Sequence, residues 1–167
     1  MKKAAVIFSI LAVIMLGLTL WGFSGARLEL RVDSVRALAE EEYQARFSRL
    51  REQLNNGAVR GIVYEEQLDG DASDYVILEY TILVTNRGFI DAQMLEAAVV
   101  PIRGDVLCFS QQEAQGLDVN SSIEAGAGRQ MRLRCYLLTQ KGLHAVRDIQ
   151  VSYYIWGNPF ILKVQYG

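Results

Sequence analysis

Acidic side chains are the first candidates for chemistry in this chain, because several of them occur close together. Asp69, Asp71 and Asp74 lie in one short stretch, and hard cations such as Ca²⁺ prefer carboxylate oxygens. The spacing does not match an EF-hand loop, so a solvated turn is the better interpretation. Consecutive glutamates at 40–42 and 65–66 point in different directions on a helix or a strand, and they therefore form no catalytic pair.

The other reactive residue types are sparse. His144 is the single histidine, and it has no serine or cysteine nucleophile motif near it. The chain has no CxxC or HxxxH spacing, no GxSxG elbow and no P-loop. Residues 126–128 are glycine-rich but lead into a predicted strand instead of a phosphate-binding helix. The sequence therefore predicts no catalytic residue, no metal site and no cofactor, and the sequon at 120–122 matters only in a eukaryotic secretory setting.

Two cysteines, Cys108 and Cys135, leave two alternatives open. In an exported domain an even number of cysteines allows a disulfide. Two buried free thiols would instead behave as small apolar side chains. Cys135 should be buried in either case, because it shares a predicted strand face with Met131, Leu133 and Leu137.

An apolar stretch without charges at residues 4–23 must position everything that follows it. A helix of about twenty residues is about 30 Å long, which matches the hydrocarbon core of a bilayer. We expect a single-pass anchor in the lipid bilayer with the rest of the chain outside the cytoplasm. The alternative is a signal peptide cleaved near Ala26, which would release a secreted domain, although signal peptides usually have apolar regions of about 7–15 residues.

The sequence divides into an anchor, a juxtamembrane segment and a β-rich domain, at residues 1–26, 27–57 and 58–167. From Asp33 onward apolar residues recur at three- and four-residue steps, which predicts an amphipathic helix that starts at Asp33 or Ser34 and stops at Gly57. Residues 28–32 alternate between apolar and charged types as a strand would, but they are too few to decide.

β-Branched and aromatic residues dominate after Gly57, with frequent turn residues between them. Several segments alternate between apolar and polar residues, which is typical of strands with one buried and one solvated face. The pattern predicts a mainly β fold, a seven-stranded antiparallel sandwich of the Ig-like or fibronectin-like type. The predicted strands are residues 59–67, 75–85, 94–102, 106–110, 130–139, 148–156 and 160–166.

The order of some of these features resembles the late-embryogenesis-abundant type 2 (WHy) sandwich. The likeness is carried by a strand that runs into Asn86-Arg87-Gly88 and by Ile123-Glu124-Ala125-Gly126 before a later strand. That family usually has a proline after the asparagine, where this chain has Arg87. The chain is similar as well to Ig-like accessory domains on bacterial membrane anchors. The resemblance implies a sandwich domain and transfers no functional residue.

Charge and aromatic residues together indicate the type of partner. The chain has 17 Lys and Arg residues against 19 Asp and Glu, so nucleic acid is not expected as a partner. Period-two alternation places Tyr154 and Trp156 on the outward side of a hairpin tip, where exposed aromatic residues can bind a protein. We therefore expect a non-catalytic, membrane-anchored domain that mediates protein–protein interaction or builds envelope structure.

Two alternative functions stay open. Type IV pilin-like proteins share the order of apolar helix, amphipathic continuation and β domain, but this chain has no glycine processing site before its apolar stretch and no acidic residue within it. The other alternative is a solute-binding or enzymatic domain whose site is built from residues far apart in the sequence. A pocket with converging carboxylates would support that second alternative.

If residues 4–23 are an anchor, the mature protein should keep them. The intact mass of protein purified from membranes should include residues 1–26, and high salt or carbonate should not extract the protein. A native mass that begins at Arg27 would instead identify a cleaved signal peptide.

Overall fold

The computed structural model describes residues 2–24, 27–115 and 123–167. The fold is mainly β, with eight antiparallel strands in two sheets behind an apolar N-terminal helix. The mainly β class and the apolar helix agree with the prediction, whereas the number of strands is one larger than predicted. Ala26 at the possible cleavage site and the sequon at 120–122 lie outside the described residues.

The elements follow each other as α1 (Lys2–Ser24), β1 (Leu28–Ala37), α2 (Glu40–Asn55), β2 (Ile62–Val63), β3 (Tyr75–Asn86), β4 (Gln93–Val99), β5 (Asp105–Ser110), α3 (Gln111–Gln115), β6 (Gln130–Gln140), β7 (Arg147–Ile155) and β8 (Asn158–Tyr166). A short 3-10 turn at Ala72–Asp74 precedes β3. The large sheet has the strand order β1-β3-β6-β5-β2, and the small sheet has the order β4-β7-β8.

The large sheet is covered on both of its faces. Apolar side chains on one face, such as Ile82 and Leu133, pack against Val151 and its neighbours on the small sheet. Those on the other face pack against one side of α2, which buries Phe47 and Leu50. The described residues therefore form three layers, and among them the small sheet is covered only on its inner face.

The first strand corrects the prediction of a helix that starts at Asp33 or Ser34. β1 pairs with β3 along its length, with a register shift between Val32 and Ser34. Such a β-bulge adds one residue, so the inward side chains of Val32 and Val35 are three positions apart instead of two. That step imitates the spacing of a helix, and α2 begins only at Glu40.

The second correction concerns the predicted strand at 59–67, which is reduced to Ile62–Val63. The amides of Tyr64 and Glu65 both donate to the carbonyl of Val106, at 2.8 and 3.2 Å. Two successive amides on one carbonyl cannot continue an antiparallel ladder, in which hydrogen bonds alternate along the strand. The other six predicted strands agree with observed strands to within three residues at each end.

A buried ion pair joins the two sheets at the end opposite to α1. Arg147 at the start of β7 donates from Nε and Nη2 to the two carboxylate oxygens of Asp105, at 2.9 and 2.7 Å. Asp105 also accepts from the Ile102 amide, and Arg147 also donates to the Ala145 carbonyl. Hydrogen bonding to Asp105 raises the pKa of Arg147, so the guanidinium stays charged in the interior.

Removal of one partner of the Asp105–Arg147 pair should lower the free energy of unfolding. Arg147→Met leaves the Asp105 carboxylate buried without its cation, and we expect a loss of about 3–5 kcal/mol in the free energy of unfolding. Urea unfolding of the full chain in detergent measures this loss. The matched control is Arg87→Met, which breaks the exposed pair with Glu29 and should change stability by about 1 kcal/mol or less. Equal losses in the two variants would contradict the assigned role.

Candidate functional site

The acidic stretch at 69–74 forms a closed turn. Asp71 and Asp74 cap the 3-10 turn reciprocally, and the Asp74 carboxylate accepts from the Asp71 amide at 3.0 Å. The Tyr75 hydroxyl closes the stretch by donating to the Asp69 carbonyl at 2.8 Å. In the part of the chain that the structure describes, no three His, Cys, Asp or Glu side chains are placed to hold a metal ion.

The other acid–base candidates lie on the surface. His144 is exposed in the connection between β6 and β7, and the glutamates at 40–42 occupy the first turn of α2. Glu42 pairs with Arg46 at 2.7 Å, one helical turn further on. These glutamates therefore make the contacts of a solvated helix face, as the sequence predicts.

Glu79 is a buried carboxylate that the sequence reasoning missed. It lies on the face of β3 that α2 covers and is 3% exposed. Arg36 pairs with it at 2.9 Å, and Arg134 lies 3.9 Å away. Burial raises the pKa of the adjacent Tyr136, and the Glu79 charge adds to the shift. Alternation along β3 assigns Glu79 to a solvated face, because the sequence pattern does not show that α2 covers it.

The two cysteines are free thiols buried between the sheets. A hydrogen bond between the two side chains raises the pKa of Cys135 well above its usual range, and burial adds to the shift. The Val99 amide donates to Cys108 Sγ at 3.1 Å. The expectation of a buried Cys135 is confirmed, and the structure has the two cysteines as free thiols, one of the two alternatives that the sequence left open.

Tyr154 and Trp156 lie at the end of the β7–β8 hairpin, with 37% and 57% of their surface exposed. Trp156 and Gly157 make the two-residue turn, and both have positive φ, 49° and 76°. This is the pattern of a type I′ turn, which prefers Asn or Gly at its first position. A bulky residue such as Trp156 is strained there, and strained positions of this kind concentrate at functional sites.

An uncovered surface with exposed apolar residues lies on the outer side of the small sheet. We call it the small-sheet face and define it by Met94, Tyr154 and Ile161, of which Met94 is 57% and Ile161 is 59% exposed. Tyr154 is paired with Pro159 and Ile161 with Ser152, so Tyr154 and Ile161 are diagonal neighbours on this face.

Of these three residues, Tyr154 alone is predicted from the sequence. Ile161 could have been found, because alternation along β8 places it opposite the core residues Phe160 and Leu162. Met94 could have been found in the same way, because it alternates with the buried residues Leu95 and Ala97, although it lies at an irregularity of β4 and has a φ of 53°.

A groove of about 660 Å³ lies between the end of α2 and the segment before β3. Polar and apolar residues line it together, among them Arg51, Leu54, Glu66 and Asp69. The groups with a shifted pKa among the described residues are five tyrosines, Cys135 and Arg147, and none of them lines this groove.

Comparisons with known proteins find similarity only among solved structures. No family model and no curated protein matches the chain. A FixG-related protein from Vibrio parahaemolyticus matches with 14% identity over 83% of this chain and 92% of that chain, with a TM-score of 0.39.

Two further solved structures match at a similar level. A candidate ApaA protein from Bordetella pertussis has 13% identity over 84% of this chain and 91% of that chain, with a TM-score of 0.41. A candidate lipoprotein, ycdA, from Bacillus subtilis has 9% identity over 82% of this chain and 36% of that chain, with a TM-score of 0.41. Matches at this level assign neither family nor function, and the resemblance to the WHy sandwich remains a prediction.

The strain at Trp156 is directly testable. Trp156→Asn creates an Asn-Gly turn that suits the observed backbone, so the free energy of unfolding should rise by up to about 1 kcal/mol. Urea unfolding of the full chain in detergent measures the change. The control Gly157→Ala places a side chain at a φ of 76° and should lower stability. A loss of about 3 kcal/mol in Trp156→Asn, as for a core truncation, would show that the ring is a packing residue.

Proposed function

We propose that this chain is a non-catalytic, membrane-anchored protein whose Ig-like or fibronectin-like β-sandwich binds another protein outside the cytoplasm. The N-terminal helix supports the proposal of a membrane anchor, because Ala4–Trp21 is long and apolar enough to cross a membrane and none of it is buried in the fold. We propose binding and not catalysis, because the titratable groups described above belong to turns, helix faces and structural ion pairs.

The uncovered small-sheet face is the observation that carries the proposal. The large sheet has α2 on one side and the small sheet on the other, whereas no element among the described residues covers the outer side of the small sheet. This side holds Met94, Tyr154 and Ile161, three exposed large apolar residues on three adjacent strands. Exposed apolar groups that lie together on a folded surface are typical of protein interaction sites.

Polar residues surround these apolar side chains. Glu96 and Ser152 form one cross-strand pair on this face, and Gln150 and Lys163 form another. An apolar centre with a polar rim is the usual anatomy of a protein–protein interface. Tyrosine is among the residues that contribute most to binding when a partner buries them. Tyr154 is therefore the expected centre of the interface.

The binding test uses the full chain solubilised from membranes in detergent. A partner recovered in stoichiometric amount is identified by mass, purified and titrated against variants. Tyr154→Ser and Ile161→Thr should each weaken binding, Tyr154→Ser by about 2 kcal/mol or more, while both leave the melting temperature unchanged. The matched control is Tyr166→Ser, which alters an exposed tyrosine at the far end of β8.

Two results would contradict the proposed function. One is that Tyr154→Ser and Ile161→Thr bind the recovered partner with the same affinity as the control Tyr166→Ser. The other is a chain that remains a clean monomer in detergent and takes up a small solute in the groove beside Arg51 and Glu66, which would support the solute-binding alternative.

A further inference from the structure

The connection between α1 and β1 determines which end of the sandwich lies beside the apolar helix. Residues 25–27 alone separate Ser24 from Leu28, and a chain of that length spans at most about 14 Å between the two Cα atoms. The Arg87 amide donates to the Arg27 carbonyl at 2.7 Å, so the loop after β3 lies against the start of β1.

We call this end of the sandwich the anchored end. It comprises the start of β1, the loops at 87–92 and 123–129 and the turn of Trp156 and Gly157. These parts belong together because Ala92 and Ala125 form a bridge between the two loops, and because Gln93 after the first loop pairs with Tyr154 just before the turn. The Asp105–Arg147 pair lies at the opposite end.

Two large aromatic rings of the β domain are exposed at the anchored end. Phe89 is 48% exposed, and its ring stacks on Trp21 of α1 with a centroid distance of 4.3 Å. Trp156 is more exposed than Phe89. Its ring adds to the exposed surface although its positive φ strains the backbone at this turn position. Tryptophan rings concentrate at the boundary between a membrane and water, where one side of the ring is apolar and the N–H is hydrated.

The loop that carries Phe89 is held in place by Asn86. The buried Asn86 amide donates to the carbonyls of Ile90 and Ala125, at 2.7 and 2.9 Å, and its oxygen accepts from the Gly88 amide at 2.9 Å. These bonds fix the residues on both sides of Phe89 and tie the two loops together. The loop that carries Phe89 is therefore preorganised.

The charges of the described residues at the anchored end cancel. The basic residues Arg27, Arg87 and Arg129 are balanced there by the acidic residues Glu29, Asp91 and Glu124. One of these pairs, Arg87 with Glu29, is in contact at 3.0 Å. Attraction to anionic lipids needs an excess of Lys or Arg, which this end lacks. Any affinity for a membrane must then come from the aromatic rings.

We propose that the anchored end rests on the bilayer, with Phe89 and Trp156 in the headgroup layer beside Trp21. The proposal rests on the proposed function in one respect, that α1 spans the membrane. It assigns Trp156 to the lipid and leaves Tyr154 for the protein partner, because Tyr154 lies on the small-sheet face and Trp156 lies at the tip. The sheets then stand upright on the membrane, and the small-sheet face is open to a partner from the side.

The chain has two tryptophans, which makes the test direct. Trp21→Phe keeps a ring against Phe89 and leaves Trp156 as the only emitter, whereas Trp156→Phe leaves Trp21 as the only emitter. Each full-length variant is reconstituted in phosphatidylcholine nanodiscs, and its emission is quenched either by phosphatidylcholine with a spin label on the headgroup or by aqueous iodide. A third variant, Tyr166→Trp in a chain with both substitutions, reports the far end of β8, about 25–30 Å away along the strand.

The expected result is that the labelled headgroup removes most of the emission of Trp156 and of Trp21, while iodide removes little. The emitter at position 166 should show the opposite response. Phosphatidylglycerol should not change these values, because the anchored end is neutral.

Three results would overturn the proposal, and they are distinguishable. Quenching of Trp21 but not of Trp156 by the labelled headgroup would leave the anchor intact and show that the end stands off the membrane or is covered by a second copy. No quenching of Trp21 would show that α1 does not span, which would remove the proposed function as well. If Trp156 is quenched when phosphatidylglycerol is present and not in its absence, attraction between charges, and not the aromatic rings, holds this end at the membrane.

Discussion

The short connection of residues 25–27 is the constraint on which the arrangement of this protein depends. Because it allows little distance between α1 and β1, one end of the sandwich must stay beside the apolar helix. Asn86 fixes the loops at that end through three hydrogen bonds. The Asp105–Arg147 pair fixes the two sheets at the other end. Because both ends of the β domain are held, the whole domain is oriented as one unit relative to α1.

Coverage of the sheets then determines which surface is available for binding. The large sheet satisfies its two apolar faces with α2 and with the small sheet, so a partner cannot reach either of them. Within the described part of the chain the small sheet buries only its inner side, and Tyr154 and Ile161 are exposed on its outer side.

Local pattern in the sequence was sufficient for the class of the fold and for single strand faces, as the buried position of Cys135 shows. It failed where a bulge changed the period, because Val32 and Val35 then imitate a helix. It also failed where burial comes from distant residues: Glu79 looks solvated until α2 covers it. The ion pair of Asp105 and Arg147 joins residues of two sheets, and no periodicity links such positions. Tyr154 and Trp156 were found because period-two alternation places them outward near a hairpin tip, but only the topology shows that Trp156 lies in the turn itself and Tyr154 on the face of the small sheet.

The central claim, that the sandwich rests on the bilayer by its anchored end, is tested most directly by neutron reflectometry of the full chain in a supported phosphatidylcholine bilayer. Strands of nine to twelve residues that stand upright should give a protein layer about 30–40 Å thick, continuous with the headgroups. A layer of water between the headgroups and the protein, or a layer much thinner than the strands are long, would contradict the account.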